Sequence, residues 1–76
     1  MPKLPPVRGE TLARVLELEG FVRQRIRRSH LSMTKPGLKR PVVIKLNAEL
    51  GPDLLLNNLR TANMSRDRFL ELLKQV

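Results

Sequence analysis

The chain has 76 residues, room for one small domain in which only about 60% of the unfolded surface can be buried. It has no cysteine, which excludes disulfides and thiolate metal sites. Fifteen Lys and Arg against seven Asp and Glu give a net charge of +8. No apolar run approaches the roughly 20 residues of a membrane span or resembles a secretory leader, so a cytosolic protein is expected.

Residues 1–7 are proline-rich and read as a mobile lead-in to a single domain over 8–76. From Gly9 to Glu19, Leu12, Val15, Leu16 and Leu18 supply an apolar face at helical spacing, and Gly20 suits the position just past the helix end. The start of this helix is poorly signalled, because Arg8 is no N-cap and Gly9 only a fair one. After Gly20 the period changes. Phe21 to Ile26 fits a strand whose inward face is ambiguous, and Ser29 to Thr34 alternates more clearly. Pro36-Gly37 suits the centre of a type II turn. Val42, Ile44 and Leu46 then alternate with Val43 and Lys45 as a half-buried strand. Three strands joined by short turns predict an antiparallel meander.

Pro52 and Asp53 open a second helix with Leu55, Leu56, Leu59 and Ala62 as its stripe, and Asn63 is a left-handed stop. Ser65 caps a final helix carrying Phe69, Leu72, Leu73 and Val76. The expected fold is α+β: helix, three-stranded antiparallel sheet, helix, short C-terminal helix. Packing Leu31, Met33, Val42, Ile44 and Leu46 on the helices leaves His30, Ser32 and Lys45 on a face open to water.

The charge is localised. From Gly20 to Ala48 there are eight cations (Arg23, Arg25, Arg27, Arg28, Lys35, Lys39, Arg40 and Lys45) and no carboxylate; elsewhere seven cations and seven carboxylates cancel. A soluble surface normally intersperses both signs. A long one-sign segment is what neutralising phosphates requires, which points to nucleic acid.

His30 is the sole histidine, so only one side chain can act as a general base near neutral pH. The bland alternative is a surface histidine that adds to the basic face. Two-metal chemistry is poorly served by scattered carboxylates, no glycine-rich phosphate loop follows a strand, and one histidine holds a metal weakly. No cofactor or metal is expected. Phe21 and Phe69 both fall at core positions, so the sheet lacks the exposed aromatics that stack on bases, and no GXXG loop occurs. Recognition should lean on phosphates and 2′-hydroxyls of RNA, with weak sequence preference.

Gly20-Phe21, Ser29-His30 eight residues on, Glu49-Leu50-Gly51-Pro52 and Leu59-Arg60-Thr61-Ala62-Asn63-Met64-Ser65 together resemble the HicA (YcfA-like) mRNA interferase toxins across residues 8–76. The resemblance implies a fold like a double-stranded-RNA-binding domain, ribonuclease activity centred on His30, and an antitoxin partner of HicB type; the basic segment in turn requires that partner to be acidic where it masks His30. Arg23, Arg25, Arg27, Arg28, Ser29 and Lys45 are the candidate RNA contacts, and the free protein is expected to be a monomer. Asn63 stands where the family has a glycine at the end of the second helix, a conservative change because both residues accept a left-handed conformation, and two further departures bear on the site. Arg28 stands where a glycine precedes Ser-His, and Lys45-Leu46-Asn47 occupies the region of a second histidine.

Two readings follow. One is a metal-independent endoribonuclease and toxin in which His30 takes a proton from a ribose 2′-hydroxyl. The other, motivated by the two departures, is a non-catalytic RNA-binding module of the same fold.

Overall fold

A computed structural model describes residues 4–76. The elements run β1 (Val7–Arg8), α1 (Gly9–Leu18), β2 (Val22–Arg27), β3 (His30–Thr34), β4 (Val42–Lys45), β5 (Glu49–Leu50), α2 (Pro52–Thr61) and α3 (Arg66–Leu73). The main sheet is antiparallel in the order β2-β3-β4, while β1 pairs with β5 in a separate two-residue ladder. The expected order of helix, three strands, helix and short helix is the order found. No helix among the described residues is long and apolar enough to cross a membrane.

Leu12, Ala13, Val15 and Leu16 bury one face of α1. Leu18, expected on that face, is 48% exposed, because at about 100° per residue it falls outside the stripe the other four define. The helix closes as the glycine predicts: Gly20 has φ +94°, its N–H bonds Glu17 O at 3.1 Å, and the Phe21 N–H bonds Leu16 O at 3.0 Å. That pair of bonds is a Schellman motif. Asn63, at φ +57°, closes α2 in the same way, with its N–H on Arg60 O and that of Met64 on Leu59 O.

The weak start of α1 has a tertiary explanation. Arg8 makes no side-chain cap; instead the Gly9 N–H reaches Ala48 O at 3.0 Å. A Cβ on Gly9 would sit 2.0 Å from Lys45 O, so only glycine lets the helix approach the end of β4. At the other helices the sequence signals suffice. Pro52 begins α2, and the Ser65 hydroxyl accepts the Arg68 N–H at 3.1 Å to cap α3.

Leu31 and Met33 of β3 and Val42 and Ile44 of β4 are fully buried beneath the helices, with Leu55, Leu59, Phe69 and Leu72 completing the core. Leu46 lies just past β4 and is only half-buried. Val76, expected to extend the α3 stripe, is 44% exposed, since that helix ends at Leu73. Leu4 and Val7 are both buried. The part of the expected lead-in that is described therefore packs into the domain, and the rest, at 1–3, lies outside the described residues.

Candidate nucleic-acid interface

Strand pairing assembles the site. Arg27 pairs with His30 and His30 with Lys45, so one row crosses all three strands of the sheet. Directly paired residues project to the same face, and this row lies opposite the core, with all three side chains exposed. The next row on the same face is Arg25, Ser32 and Val43. Two steps along β3 from His30 to Ser32 span about 7 Å. The helix-side rows are Ile26, Leu31, Ile44 and Arg23, Met33, Val42.

A bulge in β2 determines which arginines reach this face. The register shifts between Arg23 and Arg25, and the extra residue turns Arg23 to the helix side while Arg25 and Arg27 stay outward. Arg23 is thereby withdrawn from the candidate RNA contacts. Its Nη1 donates to Glu10 Oε1 at 3.1 Å and its Nε to Glu17 Oε2 at 3.2 Å, with a further contact from Nη2 to Glu10 Oε2. The Arg23 hydrogen bond, opposed by some desolvation, holds the Glu10 carboxyl below its usual range. Hydrogen bonds to Glu10 and then Glu17 push the guanidinium pKa upward in return.

The hairpin that presents His30 is tight. Arg28 and Ser29 alone connect β2 to β3, and Arg28 takes φ +60°. This is the left-handed region where glycine is favoured. The arginine pays a conformational cost and holds its charge at the tip, next to the Arg27–His30 pair. Ser29 is half-buried, and its carbonyl accepts the Leu46 N–H at 2.8 Å, which ties the hairpin to the end of β4 beside Lys45. Among the described residues no side chain hydrogen-bonds to His30, so nothing in the fold fixes its tautomer.

Of the eight cations in the basic segment, Arg23 is in ion pairs and Lys35 lies over the Phe21 ring at 5.5 Å. The other six, Arg25, Arg27, Arg28, Lys39, Arg40 and Lys45, have no acidic partner within ion-pair distance among the described residues. Three lie on the outward rows, one at the hairpin tip, and Lys39 and Arg40 in the β3–β4 connection. Sequence reasoning missed Gln24, which the bulge brings beside Arg25, Ser32 and Pro41 around one open hollow. No group of three or more potential metal ligands occurs among the described residues. Compared with protein-family models and with curated proteins, the chain returns no match.

Proposed function

We propose that this protein is a metal-independent endoribonuclease acting on mRNA, the toxin half of a cytoplasmic toxin–antitoxin pair, with His30 as general base. The observation that carries the reading is the exposed row Arg27–His30–Lys45, which sets the sole histidine between two cations on one solvent-facing surface. His30 takes the proton of a ribose 2′-hydroxyl. The 2′-oxygen bonds to the adjacent phosphorus, the bond to the 5′-oxygen breaks, and that oxygen takes a proton from water. Arg27, Lys45 and Arg28 at the hairpin tip neutralise charge growing on the phosphoryl oxygens. General-base help is worth about 10² to 10⁴ in rate, so with one histidine the enzyme is slow. The resemblance to HicA toxins supports the same reading and supplies the partner, an acidic antitoxin.

A non-catalytic RNA-binding module is the second reading, favoured because no side-chain hydrogen bond among the described residues orients His30. Incubation with a transcript in EDTA separates the two. Cleavage by the parent and loss of cleavage in His30→Ala, with RNA affinity retained, is the expected result. Retention of RNA without cutting by the parent establishes the module instead, and cutting by His30→Ala at the parental rate removes His30 as the base. RNA with 2′-deoxyribose at the scissile position is expected to resist cleavage, because the nucleophile is absent.

A further inference from the structure

The absence of exposed aromatics predicts weak sequence preference, but the bulge in β2 builds a feature that composition does not announce. It places Gln24 and Arg25 side by side on the outward face, where with Ser32 and Pro41 they line a hollow of about 440 Å³, room for a purine. Bulges commonly re-aim a side chain next to a functional site. We propose that this hollow is a nucleobase subsite that selects guanine beside the phosphate held at His30. The inference rests on RNA binding to this sheet face, but not on catalysis there.

The lining groups suit that base. A guanidinium matches the O6 and N7 acceptors of guanine in a bidentate contact, the commonest specific pairing of an arginine with a base. Arg25 is exposed and has no acidic partner within ion-pair distance among the described residues, so its fork is available. The Gln24 amide oxygen can accept from the guanine N1–H and exocyclic amine, which an unpaired base leaves open. Adenine offers a donor at the position of O6 and so opposes the arginine. Pro41 supplies a flat apolar wall, and Val43, directly across from Ser32 and 49% exposed, extends the apolar floor. Ser32 is two residues from His30 on the same face, about 7 Å along the strand, so an extended RNA can fill the hollow while its neighbouring phosphate meets Arg27, His30 and Lys45.

The test uses the full chain and short single-stranded oligouridines carrying one central guanosine, adenosine, cytidine or uridine, all with 2′-deoxyribose so that none is cut. Fluorescence anisotropy is expected to show the guanosine oligomer binding roughly tenfold more tightly than the others, the scale of one bidentate base contact. Arg25→Lys keeps the charge without the fork and is expected to abolish that preference, weakening the guanosine oligomer roughly tenfold and leaving the other three nearly unchanged. Gln24→Ala is expected to reduce the preference. Far-UV circular dichroism checks that both variants are folded. Equal binding of the four oligomers by the parent protein, or a guanosine preference that survives Arg25→Lys, overturns the subsite. Guanosine preference without cleavage of the all-ribose oligomers leaves the subsite standing and removes the ribonuclease reading; cleavage without preference does the reverse.

Discussion

Two backbone positions near His30 carry opposite conformational costs. Arg28 holds φ +60°, which costs an L-residue with a Cβ on the order of 1–2 kcal/mol. Replacing it by glycine removes that cost, offset in part by the added freedom of the unfolded chain, so Arg28→Gly is expected to stabilise the fold by roughly 0.5–1 kcal/mol. Urea midpoints measure this. RNA affinity should fall in the same variant because one unpaired cation is gone. A variant that is less stable than the parent shows that the Arg28 side chain makes a compensating contact. Gly9 is the reverse case. Its missing Cβ would collide with the Lys45 carbonyl at 2.0 Å, and the obstacle is backbone that cannot rotate away. Gly9→Ala is expected to cost about 3 kcal/mol, at the upper end for overpacking, a large share of the stability of so small a domain. The strain falls on the residue that completes the Arg27–His30–Lys45 row, so any folded fraction should also bind RNA less well.

At the scale of elements, β2 shows where sequence reasoning succeeds and where it stops. Residues of β3 and β4 announced their faces, because Leu31 and Met33 alternate with His30, Ser32 and Thr34, Val42 and Ile44 flank Val43 ahead of Lys45, and a sheet with one buried side enforces that register. The helix stops at Gly20 and Asn63 and the Pro36-Gly37 turn were equally legible, since each depends on one local conformation. The faces of β2 were not. Strict alternation puts Arg23, Arg25 and Arg27 on one side, and only the pairing with β3 reveals the bulge that separates Arg23 from the other two. Having turned inward, Arg23 pins β2 to α1 through Glu10 and Glu17. The Glu10 carboxyl is held below its usual value near 4.5 chiefly by the Arg23 hydrogen bond, so the contact contributes fully above that value. It is lost as pH falls through the lower folded value. Both partners are partly open to water, which keeps the contribution within about 1 kcal/mol. In chemical denaturation from pH 7 down to pH 3, the stability difference between the parent and Glu10→Gln is expected to shrink toward zero at the acid end. A difference independent of pH would show that Glu10 acts through packing instead of charge.

Across the whole molecule, the fold sorts charge onto opposite sides. The carboxylates of α1 and of its C-cap sit on the helix side, where Glu10 and Glu17 hold Arg23 and Glu19 holds Arg68. The outward rows and the hairpin tip keep Arg25, Arg27, Arg28 and Lys45 without acidic partners among the described residues. With Lys39 and Arg40, six cations are unpaired among the described residues, the number the proposed RNA contact would draw on. At a slope of about −0.7 per contact on single strands, affinity for RNA is expected to fall roughly 300-fold between 50 and 200 mM salt. A protein that silences this one by masking must meet the same charges. It is expected to present carboxylates to Arg25, Arg27, Arg28 and Lys45, in part as bidentate pairs, and to cover His30. Arg23 contributes nothing to that contact, because its guanidinium is already engaged on the far side of the sheet. Association should be fast and should slow as salt rises, and Arg23→Ala should weaken it far less than Arg27→Ala. Competition binding between the proposed acidic partner and a labelled, 2′-deoxy-blocked RNA decides the matter. Mutual exclusion is the expected outcome. A ternary complex that forms without loss of either affinity means that the partner docks on the helices and leaves the basic face open.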